Sequence, residues 1–161
     1  MNRYQTVYGV YRPEKPKFTI QSNIISLKEL DTTLFNVKMA YHTYLKNYDG
    51  LLLRDVMLFS DDGRFCSFMM SEETRIESLI IEENPWLMAD EVGFYVIQND
   101  TVMVEYFTNF QGGQYHTFKG VISNEEGLRI FEYYQGLGRF KAKINKPYRA
   151  FLNPIEEVFL H

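Results

Sequence analysis

Val92-Gly93-Phe94-Tyr95-Val96-Ile97, then Gln98-Asn99-Asp100, then Thr101-Val102-Met103-Val104-Glu105-Tyr106-Phe107 is the stretch on which the fold turns. Two runs rich in β-branched and aromatic residues flank a short polar link, the pattern of an antiparallel hairpin. Both runs are apolar on both parities, whereas a sheet with one wet face would alternate. Part of the second face is therefore covered by a helix, a partner or a bound ligand.

Similar units lie on either side. Leu51 to Phe59 and Arg64 to Met70 are joined by Ser60-Asp61-Asp62-Gly63, where glycine takes positive φ without steric penalty. Gln114 to Ile122 returns through Ser123-Asn124-Glu125-Glu126-Gly127 to Leu128–Tyr134, and Tyr148 to Leu152 supplies a closing strand before Asn153-Pro154. Three hairpins in series predict an up-and-down meander. At the other end, Tyr4 to Tyr11 reads as a first strand, Arg12 to Pro16 as an exposed connector, and Phe18 to Ile20 as a short edge strand.

Two segments read both ways. Leu34, Val37, Tyr41, Tyr44, Leu45 and Tyr48 recur at helical spacing, yet Phe35, Val37, Met39, Tyr41 and Thr43 alternate as a strand would. Between Ser71 and Asp90, Pro85 argues against a continuous helix, leaving a short strand at Ser78 to Ile81 or a helical turn packed over one end. Trp86, Leu87 and Met88 form core packing, a lid or an exposed contact patch. At least eight strands result. The expectation is an all-β, antiparallel up-and-down barrel of about eight strands, one domain over 1–161, with a β-sandwich as the alternative. Closure would remove exposed edges that central strands leave unguarded.

Composition agrees with this. A chain of 161 residues suffices for one core, and an aromatic fraction of 16%, mostly 13 Phe and 12 Tyr, suits pleated surfaces or a lined pocket. Net charge is −4, and Arg139, Lys141, Lys143 and Lys146 form the one modest basic stretch, so nucleic acid is not an expected partner. Cys66 is the lone cysteine and reads as a small buried hydrophobe. No run approaches membrane-spanning length, so no integral membrane segment is expected. The start, Met-Asn-Arg-Tyr-Gln, lacks an apolar leader, which implies the cytoplasm if the chain is complete and a secreted or periplasmic protein if a leader was removed. The oligomeric state is left open.

Gly9-Val10-Tyr11 is similar to the Gly-x-Trp signature on the first strand of lipocalins, with tyrosine in place of tryptophan. With the serial hairpins and the late Tyr148-Arg149-Ala150-Phe151, the chain resembles the lipocalin-like (calycin) barrels. The resemblance implies an eight-stranded barrel with an interior site for fatty acids, other lipids or small apolar metabolites. It also implies that Arg149, or failing that Arg139, packs across the first-strand aromatic and closes the base.

Signatures of catalysis are few. His42, His116 and His161 share no metal-ligand spacing, and no Gly-x-Ser-x-Gly elbow occurs. Gly112-Gly113 and Gly136-Leu137-Gly138 lack a phosphate-binding context and read as loops. No metal or cofactor is expected. Charges within apolar strands point to a binding site instead. Glu105 shares parity with Met103 and Phe107, and Arg129 shares parity with Phe131 and Tyr133. Each either faces solvent or faces the interior, where it needs a partner. Asp55 shares parity with Leu51, Leu53, Met57 and Phe59, marking an inward carboxylate or a bulge. With Tyr95, Tyr106 and Tyr133, these residues make up the candidate ligand site. Three functions remain in play: a barrel binding a small apolar or amphipathic molecule, an interaction domain with a side-chain-filled interior, or a barrel enzyme using Glu105, Tyr133 or His116 as acid and base.

Overall fold

The computed structural model describes residues 3–20, 40–74, 85–109, 112–123, 127–136 and 140–151. A small hairpin comes first, β1 (Arg3–Gln5) and β2 (Tyr11–Pro13). Then come β3 (Ala40–Lys46), β4 (Leu52–Phe59), β5 (Arg64–Ser71) and a single helical turn α1 (Pro85–Met88). The remaining strands are β6 (Glu91–Gln98), β7 (Thr101–Thr108), β8 (Gln114–Ser123), β9 (Gly127–Gln135) and β10 (Phe140–Phe151). Strands β3 to β10 pair in sequence order, and β10 pairs with β3 to close an eight-stranded, antiparallel up-and-down barrel. Among the described residues no helix is long and apolar enough to cross a membrane.

The expected hairpins form where turn chemistry placed them. Gly63 takes φ 82° between β4 and β5, and Asn99 takes φ 57° in the two-residue link of β6 and β7. The ambiguous segment enters as a strand over Ala40–Lys46, while 21–39 lies outside the described residues. So does 75–84, which holds the alternative strand at Ser78 to Ile81. Pro85 opens α1 rather than breaking it, since the first helical position needs no N–H partner.

The N-terminus departs from expectation. Tyr4 to Tyr11 is not one barrel strand: it folds back at Gly9 (φ 82°) into the β1–β2 hairpin, a separate sheet. Gly9-Val10-Tyr11 is thus turn and hairpin, and β3 supplies the barrel strand that Tyr4 to Tyr11 was expected to form. Arg149 is exposed on β10, paired with His42, rather than stacked on a first-strand aromatic; Arg139 lies outside the described residues. Arg12, expected in an exposed connector, is buried and donates to the carbonyls of Ala89 and Trp86 (3.4 Å for the latter). Phe18 to Ile20 forms no strand, but Phe18 packs edge-on to Phe94 and Tyr115 at 5.0 and 5.2 Å.

These contacts explain the two-sided hydrophobicity of the central strands. Residues 17–20 cover the outer face of β6 to β8. On β3 to β5, the outer residues Ala40, Val56, Leu58, Cys66, Phe68 and Met70 form a second cluster against Ala89, Trp86 and Met88. Trp86 therefore packs, with the Arg64 guanidinium 4.7 Å from its ring centroid. The covers come from the chain itself.

Candidate functional site

Pairing register and alternation sort side chains into inner and outer sets. Met57 and Phe59 on β4, Phe65 on β5, Tyr95 on β6, Val104 and Tyr106 on β7, Phe118 on β8 and Ile130 on β9 all join the inner core. At the end bearing the β4–β5 and β6–β7 turns this core is solid. Phe59 meets Tyr95 edge-on at 5.1 Å, Phe65 meets Phe118 at 5.7 Å, and the Tyr95 hydroxyl donates to the Ser60 carbonyl at 2.6 Å.

Towards the opposite end the barrel is hollow. A cavity of about 550 Å³ lies between the start of β4, the end of β5, the start of β6 and the later strands. Its apolar lining includes Met57, Phe118, Ile130 and Ile144; its polar lining includes Asp55, Glu91, Tyr106, Tyr133, Lys146 and Tyr148. Large polar side chains replace bulky apolar ones here, which is why the core stops short of filling the barrel.

The polar groups are linked. Asp55 Oδ2 accepts from the Tyr148 hydroxyl at 2.7 Å and from Lys146 Nζ at 2.9 Å. Burial and then the neighbouring Asp55 charge push the Tyr148 phenol upward. Glu91 Oε2 accepts from the Ser67 hydroxyl at 2.8 Å. Burial, with the Asp55 and Asp90 charges adding to it, raises the Glu91 carboxyl to about 7 against the hydrogen bonds of Ser67 and Thr108. The Tyr106 phenol is raised by burial and then by the Glu91 charge; it is hydrogen-bonded to Tyr133, whose hydroxyl in turn meets Nδ1 of His116. Burial lowers the His116 imidazole. Among the described residues no three His, Cys, Asp or Glu side chains converge to hold a metal ion.

The six residues singled out from sequence part ways here. Asp55, Tyr106 and Tyr133 meet around the cavity. Asp55 sits in regular pairing with Thr43 and Met69, so it marks no bulge. Tyr95 also faces inward but lies in the solid end. Glu105 faces outward yet is only 1% exposed: residues 17–20 lie over it, and its Oε2 accepts from Thr19 N, Thr19 Oγ1 and Ile20 N at 2.7, 2.9 and 2.7 Å. Neither the interior nor open solvent describes its position.

Arg129 also faces outward. A register shift lets Glu132 pair with Lys119 and Ile130 with Gly120, so Phe131 is an extra residue on β9. That bulge puts Arg129 and Tyr133, two steps of two apart in sequence, on opposite faces. Glu91, Lys146, Ser67, Thr108 and Asn109 were missed, although Glu91 shares parity with Tyr95 and Lys146 with Tyr148. Alternation could have found Glu91, Lys146, Ser67 and Thr108 once one inner residue per strand was known, whereas Asn109 lies just past β7 and off its alternation.

No protein-family model, curated protein or solved structure matches this chain.

Proposed function

We propose that the barrel binds a small amphipathic molecule in the hollow half of its interior. The observation that carries this reading is a chamber of about 550 Å³ lined by aliphatic and aromatic side chains together with hydroxyl and carboxyl groups. Binding chambers of small molecules fall in the range of roughly 300–1,000 Å³ and combine apolar lining with a few convergent polar groups. Polar side chains such as Glu91 and Asp55 weaken a core, so their place is better explained by a ligand than by packing. The solid half gives the chamber a rigid floor.

The test is fluorescence titration with N-phenyl-1-naphthylamine, an uncharged probe, beside native mass spectrometry of gently purified protein. Saturable enhancement in the wild type, lost when Ile144→Trp fills the chamber, supports the reading. Absence of saturable binding, or binding that Ile144→Trp leaves intact, overturns it.

A further inference from the structure

Resting on that reading, we infer that the polar end of the ligand is a cation, an ammonium group on a short apolar body, held between Glu91 and the neighbouring acceptors of the chamber. Three carboxylates line the cavity, Asp55, Asp90 and Glu91, against a single ammonium, that of Lys146. Lys146 is already engaged with Asp55. A carboxylate ligand of fatty-acid type would enter a chamber of its own sign and find no uncommitted cation among the described lining residues.

Hydrogen-bonding capacity points the same way. An ammonium offers three donors and no acceptor. Asn109, one residue beyond the Glu91–Thr108 pair, lines the same chamber, and its Oδ1 is buried without a hydrogen-bond partner among the described residues. Glu91 supplies the charge beside it, and Tyr106 and Tyr133 line the same chamber. Met57, Ile130 and Ile144 then receive the apolar body.

The groups that surround Glu91 also define a pH response. Asp55 from β4, Asp90 beside it, Tyr106 from β7, Tyr133 from β9, and Lys146 and Tyr148 from β10 are the ionisable side chains of the same chamber. Burial, and then the Asp55 and Asp90 charges, disfavour a negative charge on Glu91, and a bound ammonium offsets that penalty. Cation binding is therefore expected to displace the Glu91 proton and to strengthen as pH rises from 6 to 8.

The experiment is isothermal titration of the full chain with octylamine, octan-1-ol and octanoate, all below their micelle concentrations. Octylamine is expected to bind at least about tenfold tighter than octan-1-ol, the increment of one charge-assisted hydrogen bond, with octanoate weakest. Its affinity should rise from pH 6 to pH 8, and Glu91→Gln should remove most of its advantage over the alcohol. Asp55→Asn provides a second variant: it frees Lys146 to face the chamber, so it should weaken octylamine and strengthen octanoate. Equal binding of the alcohol and the amine, preference for octanoate, or an octylamine preference that survives Glu91→Gln overturns the cation assignment while leaving the chamber standing. Failure of all three ligands and of the uncharged probe removes the chamber reading, and this inference with it.

Discussion

Replacing Glu105 tests the division of the barrel into a buried outer clamp and a hollow inner chamber. Its carboxylate is 1% exposed and accepts three hydrogen bonds from Thr19 and Ile20, pinning the N-terminal segment across the outer face of β7. Hydrogen bonds to a charged group contribute about 1.5–3 kcal/mol each and are not additive within one cluster. Glu105→Gln keeps an acceptor oxygen of the same shape but loses the charge, so it should cost ~1–2 kcal/mol. Glu105→Ala strands two amides and a hydroxyl in a buried place and should cost ~3–5 kcal/mol. At a urea dependence of about 2 kcal/mol/M, the midpoint should fall by roughly 0.5–1 M for glutamine and about 2 M for alanine. Hydrogen exchange gives the local readout, because the amides of Thr19 and Ile20 should lose protection before the barrel amides do. Chamber affinity for octylamine should stay within about twofold of wild type in Glu105→Gln, since that side chain lies on the other face of the sheet. Unchanged midpoints in both variants, or a large loss of affinity with stability intact, would refute the assignment.

Three further outcomes follow from the geometry. Gly93→Ala would place a Cβ 1.9 Å from the Glu105 carbonyl oxygen and 2.6 Å from Tyr106 Cα, so β6 must draw away from β7. The expected loss is roughly 3 kcal/mol or more, and a wild-type urea midpoint would contradict it. Glu91 holds its proton to about pH 7 in the fold against 4.5 in an unfolded chain. Its stability contribution is therefore fully present below about pH 4.5, falls as pH rises to about 7 and levels off beyond. At ~1.4 kcal/mol per pH unit the fall is at most ~3.5 kcal/mol, and less where chamber water reaches the carboxyl. Urea unfolding of wild type and Glu91→Gln from pH 4 to 8 measures it, and parallel profiles would count against the shift. Asp55→Asn leaves Lys146 without its ion partner while Tyr148 keeps an acceptor, so a loss of ~1–2 kcal/mol in unfolding free energy is expected because the pair is partly solvated. A neutral effect would show that the pair contributes nothing.

Most of the barrel could be read in the sequence because hairpins are local. Gly63 and the Asn99-Asp100 link solve backbone problems within four residues, and the flanking alternation sets which residues pair. Asp55 was readable for the same reason, since an acid among Leu53, Met57 and Phe59 must face the way they face unless a bulge intervenes. Glu105 failed this reasoning. β7 is buried on both faces, and when both parities are apolar, parity no longer tells inside from outside. Arg129 failed for another reason: the extra residue at Phe131 reverses the alternation, and no residue in Leu128–Tyr134 announces it.

From residue order alone came the strand-rich class, the three hairpins, the serial order and the need for a cover over the second face of the central strands. Each depends on neighbours a few positions apart, where backbone sterics and alternation act. Tertiary structure decided that Ala40–Lys46 rather than Tyr4 to Tyr11 closes the ring, that residues 17–20 and α1 are the cover, and that the barrel is solid at one end and hollow at the other. Those outcomes bring together residues as distant as Thr19 and Glu105, or Asp55 and Lys146. Their contacts depend on closure of the whole sheet, which no local pattern encodes.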